Sequence, residues 1–548
     1  MAVTITDHRT IRNEADANTG WTGTTTVGSS NPTPIEDDGR LGANVGAEIF
    51  DSYHAAAAVD LSDAVIYCWI FSRLALGTQA ATNGGLMVLL SDATPDRIGF
   101  KVAGSDRAAF RHDDGPVGWQ CPALDTQSLP ASPLVRAGAA ANLDLVNVTQ
   151  IGTCVNSLSA APGMDPTYFA DIIRYLLVST NNGCALSIIG GTSGDPGTFT
   201  EMAAADRAVG NQQALGIIRQ LATGAFGVQG PLRFGNATGT AASWFEASNA
   251  TVVFEDRGFR TTLYKIFITD NGTGTTTFRL HSCSLIAPTG IGAEFDAATD
   301  TDVTDVVLDA CRIAGFTNGV KLLAGHTCND SIISESGQVE ANGATMNGTQ
   351  VLLSTVATDT SALLWNVATD PDGLLDDMIF SKGTNAHHAI EFGLSSPLTM
   401  TLNGCVFTGF GADTTTSAAL HFKRTTGTIT LNITDGSNPT YKSDGATVNI
   451  VQSVPLTITV QDAAKNPIQN AQVSIHTESG LTQLMNEDTN ASGIATESYN
   501  YASPTNIIWK VRKSEVADSP RYKPQSGTAQ IVAAGFSITI TLIPNPVL

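Results

Sequence analysis

The side chains best placed by type and spacing to do chemistry are carboxylates. Asp370-Pro-Asp372 stands just before Asp376-Asp377, with Trp365 upstream and His387-His388 downstream. Glycoside hydrolysis needs two carboxyl groups, about 5–5.5 Å apart for retention or about 6.5–9.5 Å for inversion. Adjacent turns of a coiled strand hold acids at such distances, and an indole stacks on the apolar face of a sugar while acids move protons. The same residues have a simpler use. Asp370-Pro-Asp-Gly373 is a turn sequence, and the Asp376-Asp377 pair suits the cap of the next strand. We therefore assign no catalytic residue.

Asp300-Thr-Asp-Val-Thr-Asp305 offers hard oxygens for calcium but lacks the ligand count and the glycine of a calcium loop, so a solvated Asx-capped turn accounts for it. No Gly-x-Ser-x-Gly elbow, His-Glu-x-x-His helix or phosphate-binding glycine loop is present. His281, His326, His387, His388 and His421 share no spacing that suggests a metal, and most are expected at the surface or in turns. No metal and no cofactor is assigned. Tyr53, Tyr67, Trp69 and Trp119 would make a sugar platform, although buried core aromatics are the commoner use of such residues.

The elements that carry these residues repeat. Phe278-Arg-Leu-His-Ser-Cys283-Ser-Leu285 returns as Val307-Leu-Asp-Ala-Cys311-Arg-Ile313, then as Leu375-Asp-Asp-Met378-Ile-Phe380 and as Leu402-Asn-Gly-Cys405-Val-Phe407. Cys283 and Cys311 are 28 residues apart, and Met378 and Cys405 are 27 apart, within the period of about 20–50 residues of stacked-repeat folds. A second strand-like segment follows each copy, at 292–295, 319–322, 389–392 and 419–422, and a fifth such segment stands at 446–450. Two short strands per turn, joined by Gly, Asn, Thr and Asp, predict a parallel coil from about residue 180 to 450. Weaker rungs are expected at 185–189, 227–234 and 251–254. Cys283, Cys311 and Cys405 share one repeat position and are expected to point inward, reduced, as small apolar side chains.

With 548 residues, more than one core is expected. The excess of 51 acidic over 29 basic residues gives a net charge of −22, which argues against nucleic acid and anionic membranes as partners. The eight cysteines form no Cys-x-x-Cys pair, so neither zinc nor redox chemistry is signalled. Met1-Ala-Val-Thr-Ile-Thr-Asp-His-Arg lacks the apolar core of a signal peptide, and no run of about 18 apolar residues would span a bilayer.

Along the chain, residues 1–45 read as a polar, turn-rich arm. Residues 46–160 carry Val65-Ile-Tyr-Cys-Trp-Ile-Phe71, Gly85-Leu-Met-Val-Leu-Leu90 and Arg97-Ile-Gly-Phe-Lys-Val102 between Asp and Gly turns. This resembles concanavalin-like lectin sandwiches. Residues 161–453 form the capped coil, with a cap helix expected from Asp165-Pro through Leu177, ended by Asn182-Gly183. Residues 454–548 open with Leu456-Thr-Ile-Thr-Val460-Gln-Asp462 and continue through Pro467-Ile-Gln-Asn-Ala471-Gln-Val-Ser-Ile475 and Thr489-Asn-Ala-Ser-Gly493-Ile-Ala495. That pattern resembles immunoglobulin-like or transthyretin-like modules, which bind or space, and a protease-sensitive junction is expected near Ser453-Val-Pro455.

The fold class expected is all-β and multidomain: a β-sandwich, a single-stranded right-handed parallel β-helix and an immunoglobulin-like β-sandwich. The order of parts resembles bacteriophage tailspikes, fibres and head or collar decorations. That resemblance implies a structural virion protein for assembly and host-surface attachment, made in the host cytoplasm and not an enzyme. The alternative is a tailspike depolymerase, a glycoside hydrolase or polysaccharide lyase cutting a host surface polysaccharide. Expected partners are two further copies in a homotrimer, other virion proteins and a host surface glycan. The trimer is expected to cover apolar stripes near Leu363-Leu364-Trp365 and Phe407–Phe410.

Overall fold

The structure is a computed structural model. It describes residues 186–208, 218–235, 242–255, 264–269, 275–299 and, apart from short gaps, 303–545; before these it describes 49–67, 85–92, 96–101, 123–129, 133–156 and several shorter segments. The fold is all-β and multidomain, with one α-helix, Phe199–Ala208, among the described residues. The chain divides into two compact units, residues 1–344 with 352–356 and residues 345–351 with 357–548.

The first unit contains a parallel coil in which three strands, not two, make one turn. Thr276–His281, Ser284–Ile286 and Glu294–Asp296 are followed by Asp305–Asp309, Arg312–Ala314 and Gly319–Lys321, then by Thr327–Asn329, Ile332–Ser334 and Val339–Glu340. Each strand pairs in parallel with its counterpart one turn on. The strand missed in the sequence is the short middle one. Its corner is a residue at positive φ, and successive turns put Asn249, Ser282, Ala310 and Asp330 there, with φ of 55°, 53°, 50° and 49°. None is glycine, so the usual turn signal is absent.

Register turns alternation into columns. Phe278, Leu280, Leu285, Phe295, Leu308, Ile313 and Val320 are fully buried, each burial worth about 1.5–3 kcal/mol. Cys283, Cys311, Cys328 and Cys405 are buried free thiols. Those of Cys283, Cys311 and Cys405 hydrogen-bond to the carbonyls of Ala247, Leu280 and Leu375 at 3.4, 3.3 and 3.2 Å. Burial pushes Cys311 and Cys405 up to about 12, which leaves them as packing groups rather than nucleophiles.

The expected cap helix is not where the sequence placed it. Tyr168–Ala170 is a strand paired with Leu41–Ala43 and Ile70–Ser72, and residues 171–185 lie outside the described residues. The observed helix begins one segment later in a reciprocal capping box. Thr198 Oγ1 accepts from the Glu201 N–H at 3.2 Å, and the Glu201 carboxylate accepts from the Thr198 N–H at 2.9 Å. Its Phe199 packs on Phe245 and Phe226, with centroids 4.8 and 5.5 Å away, and Phe245 stacks on Phe278 one turn on at 5.3 Å. The rungs predicted at 185–189 and 251–254 are present and paired as Leu186–Ile189 and Thr251–Phe254, whereas the one predicted at 227–234 is split into Ala225–Val228 and Leu232–Phe234, which pair in different sheets. Thr4–Asp7 pairs antiparallel with Leu186–Ile189 and so occupies the edge of the first rung. N-terminal to the coil, Ile49–Val59, Gly85–Asp92, Arg97–Lys101 and Val148–Asn156 form an antiparallel sheet joined by Trp21–Gly23 and Leu134–Ala137.

In the second unit, Ser361–Trp365, His388–Phe392, Leu420–Phe422 and Tyr441–Ser443 stack in parallel. The predicted segment at 446–450 instead opens the strand Thr447–Gln461, which pairs with Thr428–Thr434 on another face. That strand runs on without a break: Gln452–Thr459 pairs antiparallel with Ile494–Tyr501, and Leu456–Gln461 pairs parallel with Phe536–Thr541. Coil and terminal sandwich thus share one strand, and Val454 is buried. The expected protease-sensitive junction is hydrogen-bonded sheet. Gln472–Thr477, Gln483–Asp488, Thr505–Arg512 and Gln525–Ile531 complete the sandwich, closing on Leu456, Ile458, Val473, Ile475, Trp509 and Val511. The Thr-x-x-x-Gly motif has a clear cause. Buried Thr489 Oγ1 donates to the Ile468 carbonyl at 2.6 Å and accepts from the Ala471 N–H at 2.8 Å, while Gly493, at φ +74°, leaves no room for a Cβ beside the Val460 carbonyl.

Two predictions follow from this packing. Replacing the exposed corner residue Ala310 by Gly should raise the thermal midpoint, because relief of left-handed strain of about 1 kcal/mol exceeds the added chain entropy. Ala310→Val should lower it. In native protein, peptide mapping should find Cys283, Cys311 and Cys405 unmodified by a bulky thiol reagent, and Cys311→Asp should cost about 3 kcal/mol or more by burying a carboxylate without a partner.

Candidate functional site

Two of the four carboxylates singled out in the sequence, Asp370 and Asp376, accept hydrogen bonds that hold the chain. Asp370 Oδ1 accepts from the N–H groups of Asp372 at 3.2 Å and Thr401 at 2.8 Å. Asp376 accepts from the Gly373 N–H at 3.0 Å and from Asn403 Nδ2 at 3.2 Å. Asp377 is the corner residue of its turn, at φ 56°, and the next turn has Gly404 there. Trp365 is fully buried and donates to the Thr369 carbonyl at 3.0 Å, so it offers no face to a sugar. Leu363 is buried as well, which removes that stretch from the exposed stripes. The exposed apolar residues nearby are Ile379 and Val406, register partners on successive turns. Of the calcium candidate, 300–302 and 304 lie outside the described residues, and Asp305 pairs with Arg279 at 2.7 Å. The side chains of Tyr53, Tyr67, Trp69 and Trp119 also lie outside the described residues.

A different cluster forms on the coil of the second unit. Glu391, His421 and Lys442 are register partners on three successive turns. Around them stand Asp359, His388, Lys423 and Asp444. Asp359 Oδ1 accepts from Lys442 Nζ and lies 3.1 Å from His388 Nε2. Asp444 Oδ1 lies 2.9 Å from His421 Nε2. Lys423 lies 3.8 Å from both Glu391 and Asp444, and the two imidazole rings are 4.6 Å apart. The sequence concealed this cluster because its members recur at 30 and then 21 residues, not at one period.

The environments of the carboxyl groups diverge. The Lys442 hydrogen bond holds Asp359 down to about 2. Burial pushes Glu391 up from the ordinary carboxylate range. Separated acidities of this kind are what general acid–base pairs use, and buried ion ladders produce them too.

The histidines correct the sequence expectation. His326, His387, His388 and His421 are fully buried. His326 and His387 each bridge one donor and one acceptor of the backbone. His326 Nδ1 accepts from the Leu323 N–H at 3.1 Å and Nε2 donates to the Val303 carbonyl at 2.8 Å. His387 Nε2 accepts from the Gly383 N–H at 3.0 Å and Nδ1 donates to the His388 carbonyl at 2.9 Å. Both rings are thereby satisfied in the neutral form, and burial pushes both below the usual imidazole value. His388 differs, since its Nδ1 faces the Ala418 carbonyl at 2.7 Å and its Nε2 faces a carboxylate, two acceptors. His421 differs again: its Nδ1 has no hydrogen-bond partner and lies 3.7 Å from Glu391.

A concave feature of about 560 Å³ lies on the terminal sandwich between Gln472, Ser474, His476, Asn486, Lys510 and Arg512, without Phe, Tyr or Trp in its lining.

No family model matches the chain and no curated protein matches it. Solved structures that align include the catalytic domain of GH87 alpha-1,3-glucanase in complex with tetrasaccharides, at 9% identity over 84% of this chain and 89% of that chain with a TM-score of 0.22. The same domain in complex with nigerose aligns at 8% identity over 82% and 96%, with a TM-score of 0.17. Similarity at that level carries no inference about activity.

Because the folded values of His326 and His387 lie below the ordinary value of about 6.5, their contribution to stability is complete above that pH and is lost as pH falls toward the folded values. Urea midpoints measured from pH 7.5 to 5 should decline, and His326→Gln should flatten that decline.

Proposed function

We propose that this protein is a non-catalytic structural component of a phage particle, a tailspike, fibre or head or collar decoration, whose coil serves assembly and host-surface attachment. The observation that carries this is how the polar groups of the second-unit coil are used. Asp359 and Asp444 hold Lys442 and His421 on other turns, Asp370 holds the Thr401 N–H on the next turn, and Asp376 holds the Asn403 side-chain amide there. Side chains committed in this way tie turns of the coil together. A terminal sandwich sharing a strand with the coil suits a part that transmits load or displays a binding face. Association as a homotrimer belongs to this proposal.

One observation favours the polysaccharide depolymerase as a second reading: Glu391 raised and Asp359 lowered in a single cluster. Glu391 would then protonate the leaving oxygen and Asp359 would act as base or nucleophile.

Mass spectrometry of density-purified particles should recover the chain in stoichiometric amount, and light scattering of pure protein should give about three times 57.1 kDa. Host capsule or lipopolysaccharide incubated with the protein should release no new reducing ends. Release that disappears in both Glu391→Gln and Asp359→Asn would replace the structural proposal with the enzymatic one.

A further inference from the structure

We infer that Asp359, His388 and His421, with Glu391 beside them, bind one divalent transition-metal ion of the zinc type, which clamps successive turns of the coil. One ligand atom from each of Asp359, His388 and His421 lies within 4.8 Å of the other two. Proximity alone would fit an ion-pair ladder as well, so the protons decide.

A neutral imidazole has one N–H and one lone pair. The Ala418 carbonyl can only accept, so its 2.7 Å contact puts the His388 proton on Nδ1. The lone pair on Nε2 then faces the Asp359 carboxylate at 3.1 Å. Two acceptors at that distance repel unless a cation lies between them. In His421 the Asp444 carboxylate takes the Nε2 proton at 2.9 Å, which leaves the Nδ1 lone pair without a partner in a fully buried ring. Each imidazole is therefore held by an outer acceptor in the tautomer that presents its other nitrogen. Metal-binding histidines are oriented in this way, by a carbonyl or a carboxylate behind the ring.

The donor set also fits. Two imidazole nitrogens with Asp359, and Glu391 at 3.7 Å from His421 Nδ1, make the mixed nitrogen and oxygen set that zinc accepts at four-coordinate sites. Asp359, Glu391 and Asp444 outnumber the ammonium groups of Lys423 and Lys442 by one, so the cluster's net negative charge offsets half the charge of a dication. His326 and His387, equally buried, have both ring nitrogens satisfied by backbone and form no such site.

The test uses untagged, full-length protein stripped with a chelator and titrated calorimetrically with zinc chloride, with magnesium chloride as the comparison. One zinc per chain should bind with micromolar or tighter affinity and raise the thermal midpoint, and magnesium should do neither. His421→Gln should abolish the binding. Asp444→Asn, which keeps the ligands while weakening the group behind His421 and the pairing with Lys423, should lower affinity about 10–100-fold and serves if the first variant does not fold. An absence of saturable zinc binding, or equal affinity in wild type and Asp444→Asn, would overturn the inference and leave His388 as an imidazolium paired with Asp359.

Discussion

Parallel backbone pairing from one turn of the coil to the next is the constraint on which the rest of the structure depends. Once Leu280 is opposite Leu308 and Leu308 opposite Cys328, every other side chain on those strands has its column fixed, inward or outward. The inward columns then need only apolar groups of compatible volume, which is why Cys311 and Ser331 can follow one another. Ser331 Oγ accepts from the Cys311 N–H at 2.9 Å and donates to the carbonyl of Asn329 at 2.8 Å, so its polarity is satisfied inside the wall. The same register brings Glu391, His421 and Lys442 together from positions far apart in the chain.

The coil of the first unit has a covered first rung, and the coil of the second unit has a covered last one. At the first rung the Thr4–Asp7 strand takes the sheet edge and the Phe199 helix covers the aromatic column. At the last rung the strand Thr447–Gln461 does not stop; it becomes the first strand of the terminal sandwich. Backbone groups that would otherwise be unpaired are used by the neighbouring domain, so no separate cap is required.

Much of the fold was legible in the sequence because inward columns impose alternation and return a buried side chain after 28 residues at Cys283 and Cys311 and after 27 at Met378 and Cys405. The terminal module was legible for a similar reason: Thr489 and Gly493 are demanded by local geometry that few other residues satisfy. The middle strand of each turn was hidden, since its corner is carried by Ser282, Ala310 and Asp330 instead of glycine. The cap helix was misplaced because helical spacing from Phe169 onward competes with pairing of Tyr168–Ala170 that no local pattern reveals. The polar cluster was hidden most deeply. Its residues meet through turns of unequal length, and the acids that looked catalytic, Asp370 and Asp376, stand in turns where a carboxylate is a backbone acceptor.

The turn-to-turn pairing is tested most directly by hydrogen exchange. Amides of Asp305–Asp309, Arg312–Ala314, His388–Phe392 and Leu420–Phe422 each have a partner on an adjacent turn, and protection of such groups follows the free energy of opening. The account predicts that peptides covering these strands stay protected for hours at neutral pH, while those covering the exposed turns at 289–290 and 425–427 exchange within seconds to minutes. Rapid exchange across the strands, with protection confined to the terminal sandwich, would contradict it.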